Sequence, residues 1–318
     1  MGVIDTLSAG FDLVRKKPWL ILPPVILDIG LWLAPRLSVR SMLSDLLRQV
    51  EAQVAASPEA LSGLRESSQM LVAATEHANV LALISSSLPG VPSMPIPGKT
   101  SFFGWLQPSI ELRFGLGFLG LILALLVAGL LIGTFYLGLI AQQVRDGHNS
   151  LQALRRRLPV YCLRLIGVFA LLTALFMVVG FPLSLTASLL SLVSGSLGWM
   201  LMALFFYIGF WIMMYLAFVP AAILLTEDGA LRAVWHSFNV VRRNFWSTLG
   251  LLVLIYIIQF GIMLVLERLT SSSAGALVAV VANAFIGTGL TTAVFVFYQD
   301  RYRAWRALAE ENRSLARL

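Results

Sequence analysis

Residues 237–266 read S-F-N-V-V-R-R-N-F-W-S-T-L-G-L-L-V-L-I-Y-I-I-Q-F-G-I-M-L-V-L, and nothing after Arg243 in this stretch carries a charge. An α-helix rises about 1.5 Å per residue, so about 20 apolar residues cross about 30 Å of hydrocarbon. The run 246–266 therefore predicts a transmembrane helix. Working outward, the same criterion selects 19–34, 114–141, 160–185, 197–225 and 275–298, which makes six spans. Composition points the same way. The chain is 58% apolar and 12% charged, with a mean hydropathy of +0.84, whereas soluble chains are about a quarter charged. Too few charges exist to cover a water-facing surface, which excludes a soluble enzyme and a disordered chain.

The span at 19–34 is the shortest and contains Pro23, Pro24 and Asp28. Proline removes a backbone donor and clashes with the preceding turn, so a break is expected there. A cleaved signal peptide is the rival reading. It is disfavoured, because no A-x-A site follows and Pro35 stands where cleavage would fall.

Orientation follows from Lys and Arg. One rim collects Arg15, Lys16, Lys17, Arg145, Arg155, Arg156, Arg157, Arg164, Arg232, Arg242, Arg243 and the five arginines of the tail. The other rim holds only seven of the 23, six of them in one long insert. The positive-inside rule then places both termini in the cytoplasm. A net charge of +7 reads as contact with the anionic inner leaflet rather than with nucleic acid, because the basic clusters adjoin spans.

A repeat organises these clusters. Residues 10–19, G-F-D-L-V-R-K-K-P-W, match 237–246, S-F-N-V-V-R-R-N-F-W, and L-Q-A-L-R-R-R-L-P at 151–159 is a weaker third copy. Each leads into a span. The expected fold is an all-α polytopic membrane protein: six helices in three hairpin units, each preceded by a short basic amphipathic interfacial helix. Headgroup contacts would come from Arg15, Lys16, Lys17, Arg155, Arg156, Arg157, Arg242 and Arg243, with Trp19 and Trp246 as interfacial anchors. The segments are a cytoplasmic interfacial helix at 1–17, the first span at 18–35, an extracytoplasmic insert at 36–113, a five-span bundle at 114–298 with interfacial helices near 149–158 and 229–243, and a basic amphipathic tail at 299–318.

Within the third unit, Pro220, Glu227, Ala233, Ser237, Arg242, Trp246 and Gly250 stand in a pattern that resembles a bacterial integral membrane family. That family includes the membrane domain joined to some glycerophosphodiester phosphodiesterases and many stand-alone proteins of unknown function. The resemblance implies a membrane fold, with Pro220 closing a span. It implies no hydrolase activity, because the metal-binding acids and histidines of a phosphodiesterase domain have no counterpart here.

In the insert, Leu37, Met42, Leu46, Leu47, Val50 and Val54 recur at helical spacing, and after Ser57-Pro58 so do Leu61, Leu64, Met70, Leu71, Ala74 and Leu81. Two amphipathic helices are expected. They would cover the bundle or dock an envelope protein. P-G-V-P-S-M-P-I-P-G-K-T at 89–100 reads as an extended linker, and Phe102, Phe103 and Trp105 as a return to the lipid boundary.

Polar residues inside spans are costly and mark function when they occur. Asp28 is the one acid well inside a span, and Gln259 and Asn283 lie at matching depth in the fifth and sixth. A Gln259–Asn283 hydrogen bond is one reading, and a water-filled ion-handling site including Asp28 is the other. Gly275, Ala279, Asn283, Gly287 and Thr291 fall on one face, a row suited to close helix packing or to a homo-oligomer. No nucleophile elbow, phosphate loop or zinc-protease motif is present. Gly115, Gly117 and Gly120 fit the dinucleotide pattern but open a span, without a preceding strand. With one cysteine and three histidines, no metal or other cofactor is expected. The chain reads as a non-catalytic lipid-binding or scaffolding protein of the bacterial cell membrane. The alternative is a transporter or permease for a small or lipid-like solute, working through the site near Asp28.

Overall fold

The computed structural model describes residues 1–54, 68–73, 75, 79–86, 91–94, 109–270 and 272–315. The expectations placed on Ser57, Pro58, Leu61, Leu64, Ala74 and Phe102–Trp105 lie outside these residues. The helices are α1 (Val3–Lys16), α2 (Leu22–Leu33), α3 (Arg40–Val54), α4 (Leu116–Asp146), α5 (Leu151–Val193), α6 (Gly195–Leu216), α7 (Val219–Thr226), α8 (Ala230–Arg243), α9 (Phe245–Leu269) and α10 (Ser273–Leu315). Five apolar helical stretches are long enough to cross a membrane: α4, α5, α6 continued by α7, α9 and α10. The architecture is that of an all-α polytopic membrane protein.

The expected first span is the exception. Pro18–Ile21 is a single 3-10 turn, and α2 has only 12 residues, with proline in its first turn and a stop before Pro35. At about 1.5 Å per residue that is roughly 18 Å of α-helix, short of the hydrocarbon thickness.

Two further expectations need correction. The basic stretch near 149–158 is not a helix of its own, because α5 runs unbroken from Leu151 to Val193 and accommodates Pro159 and Pro182. Pro220 does not close a span either. The chain turns at Ala217–Phe218, and Pro220 then sits in the first turn of α7, where a missing N–H costs nothing. Helix α7 is buried from Val219 through Leu225 apart from Pro220, so this end of the stretch packs within the protein.

The chain divides into two compact units. One comprises Met1–Lys17, Thr134–Ile258 and Gly289–Leu318. Its core draws on Tyr136, Ile140, Leu154, Phe218, Phe297 and Tyr298, all nearly or fully buried. Helix α1 crosses α10 at a glycine pair. A side chain at Gly10 would meet the Ala293 nitrogen and the Gly289 oxygen at 2.7 Å, and one at Gly289 would meet Phe11 at 2.5 Å. Arg301 Nη2 also donates to the Met1 carbonyl at 2.8 Å. Helices α1 and α8 end alike. The Lys17 N–H bonds the carbonyls of Leu13 and Val14, and the Asn244 N–H bonds those of Val240 and Val241, the positions that correspond when 10–19 and 237–246 are aligned.

The other unit comprises Pro18–Gly133 and Gln259–Thr288. It contains a feature absent from the sequence reading: β1 (Arg36–Ser38) pairs in parallel with β2 (Ser109–Glu111), in register Arg36 with Ser109, Leu37 with Ile110 and Ser38 with Glu111. This ladder ties the two ends of the insert together, and Asn79 Oδ1 accepts from the Leu37 N–H at 3.0 Å. The predicted helix near 40–54 is present as α3, but Leu46 and Val50 on its apolar stripe stay exposed, as do Met70 and Leu71 further on.

The contact at Gly10 sets a stability test. Gly10→Leu forces side-chain atoms onto the backbone of α10 and should cost about 1–3 kcal/mol, read as a lowered unfolding midpoint in detergent. Gly250→Ala meets only Val3 Cγ2, at 4.0 Å, and should hold or slightly raise the midpoint, since alanine is the better helix former.

Candidate functional site

Of the three intramembrane polar residues, the structure pairs two. Gln259 Nε2 donates to Asn283 Oδ1 at 3.4 Å, a long hydrogen bond between α9 and α10, while Asn283 Nδ2 is buried without a partner. Neither is the partner found for Asp28. The Asp28 side chain is buried on α2, where Ser93 Oγ donates to Oδ1 and the Met94 N–H donates to Oδ2 at 3.1 Å. Both carboxylate oxygens are therefore engaged by protein donors 65 and 66 residues away.

What Asp28 holds is the stretch Val91–Met94, part of the expected free linker. It is neither helix nor strand, and its ends are buried. Met94 packs with Leu266 and Ala279, and Pro92 occupies the space where a side chain at Gly287 would stand. The row of small residues on α10 thus acts as a seat for this segment, with Asp28 as its clamp. A proline-rich stretch has few N–H donors, so an acidic partner for one N–H and one hydroxyl fixes it where a helix cannot form.

A second polar site lies in the other unit. Glu227 follows α7 in the left-handed region, φ 58° and ψ 20°, where glycine is usual; it is the one non-glycine residue at positive φ among the described residues. Such a conformation costs about 1 kcal/mol or more. Arginines offset that cost. Arg145 Nη1 donates to Glu227 Oε1 at 2.5 Å, Arg157 Nη1 pairs with the same oxygen, and Arg164 Nη1 donates to the Glu227 carbonyl at 2.5 Å. One acidic residue therefore locks the end of α4 and the start of α5 onto the turn between α7 and α8. Arg157 thus has a carboxylate partner within the protein while its side chain stays 47% exposed, and Arg155 and Arg156 are exposed as well.

The other motif positions separate into two faces of α8. Ala233 and Ser237 are fully buried, and Ser237 Oγ donates to the Tyr215 carbonyl at 2.7 Å, in the last turn of α6. Arg242 and Arg243 are exposed and Trp246 is 79% exposed, whereas Trp19 is half-buried. Lys16 and Lys17 are exposed; Arg15, also exposed, pairs with Asp12 one turn earlier. Gly250 touches nothing that requires a glycine.

Sequence reasoning missed the cavity beyond Glu227. It has a volume of about 630 Å³ and is lined by Arg145, Asp228, Tyr298, Tyr302, Arg303 and Arg306 among others. The signal was present, since Tyr298, Tyr302 and Arg306 recur every fourth residue and so share one helix face. His236 Nδ1 lies 3.1 Å from Asp228 Oδ2, and the ring packs against Tyr302 and Trp305. Among the described residues, no three His, Cys, Asp or Glu side chains gather as a metal site needs.

No family model matches the chain, and no curated protein or solved structure matches it.

The Asp28 clamp yields a direct test. Asp28→Ala leaves the Ser93 hydroxyl and the Met94 N–H without their acceptor and should cost about 1–3 kcal/mol, with Ser93→Ala costing less. In a double-mutant cycle on unfolding midpoints, the two changes should be clearly non-additive. Additive effects would remove Ser93 as the partner.

Proposed function

We propose that the protein is a non-catalytic integral membrane protein of the bacterial cell envelope that holds anionic lipid along a basic cytoplasmic rim. The observation that carries this reading is the division of α8. Its small face, Ala233, Ser237, Val240 and Val241, packs into the protein, while Leu231, Trp235 and Arg242 stand exposed on another side, followed by exposed Trp246 at the start of α9. Leucine and tryptophan beside arginine suit the boundary where acyl chains meet headgroups. A shallow cavity of about 530 Å³ lined by Leu151, Gln152, Arg155 and Arg156 repeats this chemistry at the start of α5.

Topology fits the same reading. Helix α1 packs on α10 near Gly289, and Met1 reaches Arg301, so both lie at one end of α10. An even number of crossings must separate them, and five long helices leave one passage to α2, which would enter as a short sixth crossing completed outside the helix. Three hairpin units, with the first and third opened by related basic helices, account for that count. The identical caps at Lys17 and Asn244 support a duplication. The likeness to the membrane domain joined to glycerophosphodiester phosphodiesterases belongs to this proposal, as a fold without the hydrolase. The scaffolding part of the reading rests on the insert, whose exposed Leu46, Val50, Met70 and Leu71 would meet an envelope protein.

A transporter working through Asp28 stands second, because Ser93 and Met94 already engage both carboxylate oxygens.

Purification with native lipids followed by mass spectrometry tests the lipid reading. Each basic side chain near an anionic surface contributes about 1 kcal/mol. Replacing Arg155, Arg156, Arg242 and Arg243 by glutamine should therefore lower retained anionic phospholipid more than about tenfold, with the unfolding midpoint in detergent little changed. An unchanged lipid complement would refute the proposal.

A further inference from the structure

The cavity between the turn after α7 and the far part of α10 has no role in the lipid reading, and its chemistry is specific. Arg145, Arg303 and Arg306 face it against one carboxylate, Asp228. Arg145 is committed to Glu227 and Asp146, and Asp228 has His236 beside it. Among the described residues, no carboxylate pairs with Arg303 or Arg306 at this cavity. Gln299 orients one of them: with its amide nitrogen donating to the Val144 carbonyl at 3.3 Å, its oxygen accepts from Arg303 Nη2 at 2.9 Å.

An independent observation comes from Tyr298. This side chain is 0% exposed, lines the cavity, and its hydroxyl has no hydrogen-bond partner among the described residues. A buried hydroxyl without a partner is costly, so an acceptor is expected at this wall. An acceptor that also answers two guanidiniums is an anion with several oxygens.

We infer that this cavity binds a phosphate group, carried by a molecule larger than phosphate itself. Tyr298 donates to one oxygen and the guanidiniums of Arg303 and Arg306 neutralise the charge. A volume of about 630 Å³ falls within the range of small-molecule sites and leaves room for the rest of the ligand along the Tyr302 ring. Position favours a water-borne source. The large apolar side chains exposed on α10 end at Phe285, and Tyr298 stands 13 residues further on, about 20 Å along the helix. The site is thus separate from the exposed basic faces and stands whether or not lipid is retained there.

The test uses the full chain in detergent, titrated with inorganic phosphate against chloride at matched ionic strength. Readouts are tryptophan fluorescence, since Trp305 lies 5.7 Å from Tyr302, and the unfolding midpoint. The wild type should show a saturable response, and Tyr298→Phe and Arg306→Gln should each weaken it about tenfold. Phenylalanine keeps the ring and Arg306 is exposed, so the midpoint without phosphate reports whether each variant is folded. In nanodiscs of phosphatidylcholine with and without phosphatidic acid, a phosphate affinity that falls when phosphatidic acid is present identifies a lipid headgroup as the source. An unchanged affinity identifies a soluble phosphate ester, and both outcomes uphold the site. No saturable response, or an equal response from wild type and both folded variants, overturns it.

Discussion

Hiding a leucine from hydrocarbon gains nothing, so a membrane protein builds its packed interior where water would otherwise reach. That constraint shows in how α5 and α10 distribute their large apolar side chains. Helix α5 buries Leu154, Tyr161 and Cys162, then exposes Leu163, Phe169, Met177, Phe181 and Leu189. Helix α10 does the reverse, exposing Val278, Val281 and Phe285 before burying Leu290, Phe295, Phe297 and Tyr298. The packed parts of these helices lie toward their arginine-bearing ends. There α7, α8 and the ends of α4, α5 and α10 supply a core of ordinary protein character, and the candidate polar sites of this unit are built on it.

Two carboxylates hold the parts of the molecule that helices cannot. Glu227 stabilises a turn that backbone sterics oppose, using arginines from α4 and α5. Asp28 stabilises a segment that is neither helix nor strand and has few donors of its own. In each case an acid that sequence alone would flag as functional is occupied by neighbours within its own unit. Among the described residues, the Tyr298 hydroxyl is one of the buried groups left without a partner, and it lines the same cavity as Arg303 and Arg306.

The long helices were legible because uninterrupted apolar length has one physical meaning in a bilayer. Their functional limits were not. The span read from Leu197 through Leu225 matches the stretch Gly195–Thr226, but hydropathy scores Ala221, Ile223 and Leu225 like any lipid-facing residue and so could not show that they are buried in the protein. Hydropathy also could not see that α2 is too short, because its flanking apolar residues lie in a 3-10 turn. The Gln259–Asn283 pair was legible from depth. The Ser93–Asp28 pair was not, since no local pattern links residues 65 positions apart. The three-residue ladder of β1 and β2 is too short to leave a period. The basic stretch at Arg155, Arg156 and Arg157 looked uniform and all three are exposed, but Arg157 also pairs with Glu227, 70 positions away.

The orientation we propose puts α1 and the far end of α10 on the cytoplasmic side of the membrane and the α5–α6 and α9–α10 turns on the other. Single cysteines placed in a Cys162→Ala background, at Ser8, Ala304, Ser196 and Ser272, all exposed positions, can be probed in intact cells with a membrane-impermeant maleimide. The account predicts immediate labelling at Ser196→Cys and Ser272→Cys, with Ser8→Cys and Ala304→Cys labelled only after the membrane is opened. Labelling that separates Ser8→Cys from Ala304→Cys would contradict it.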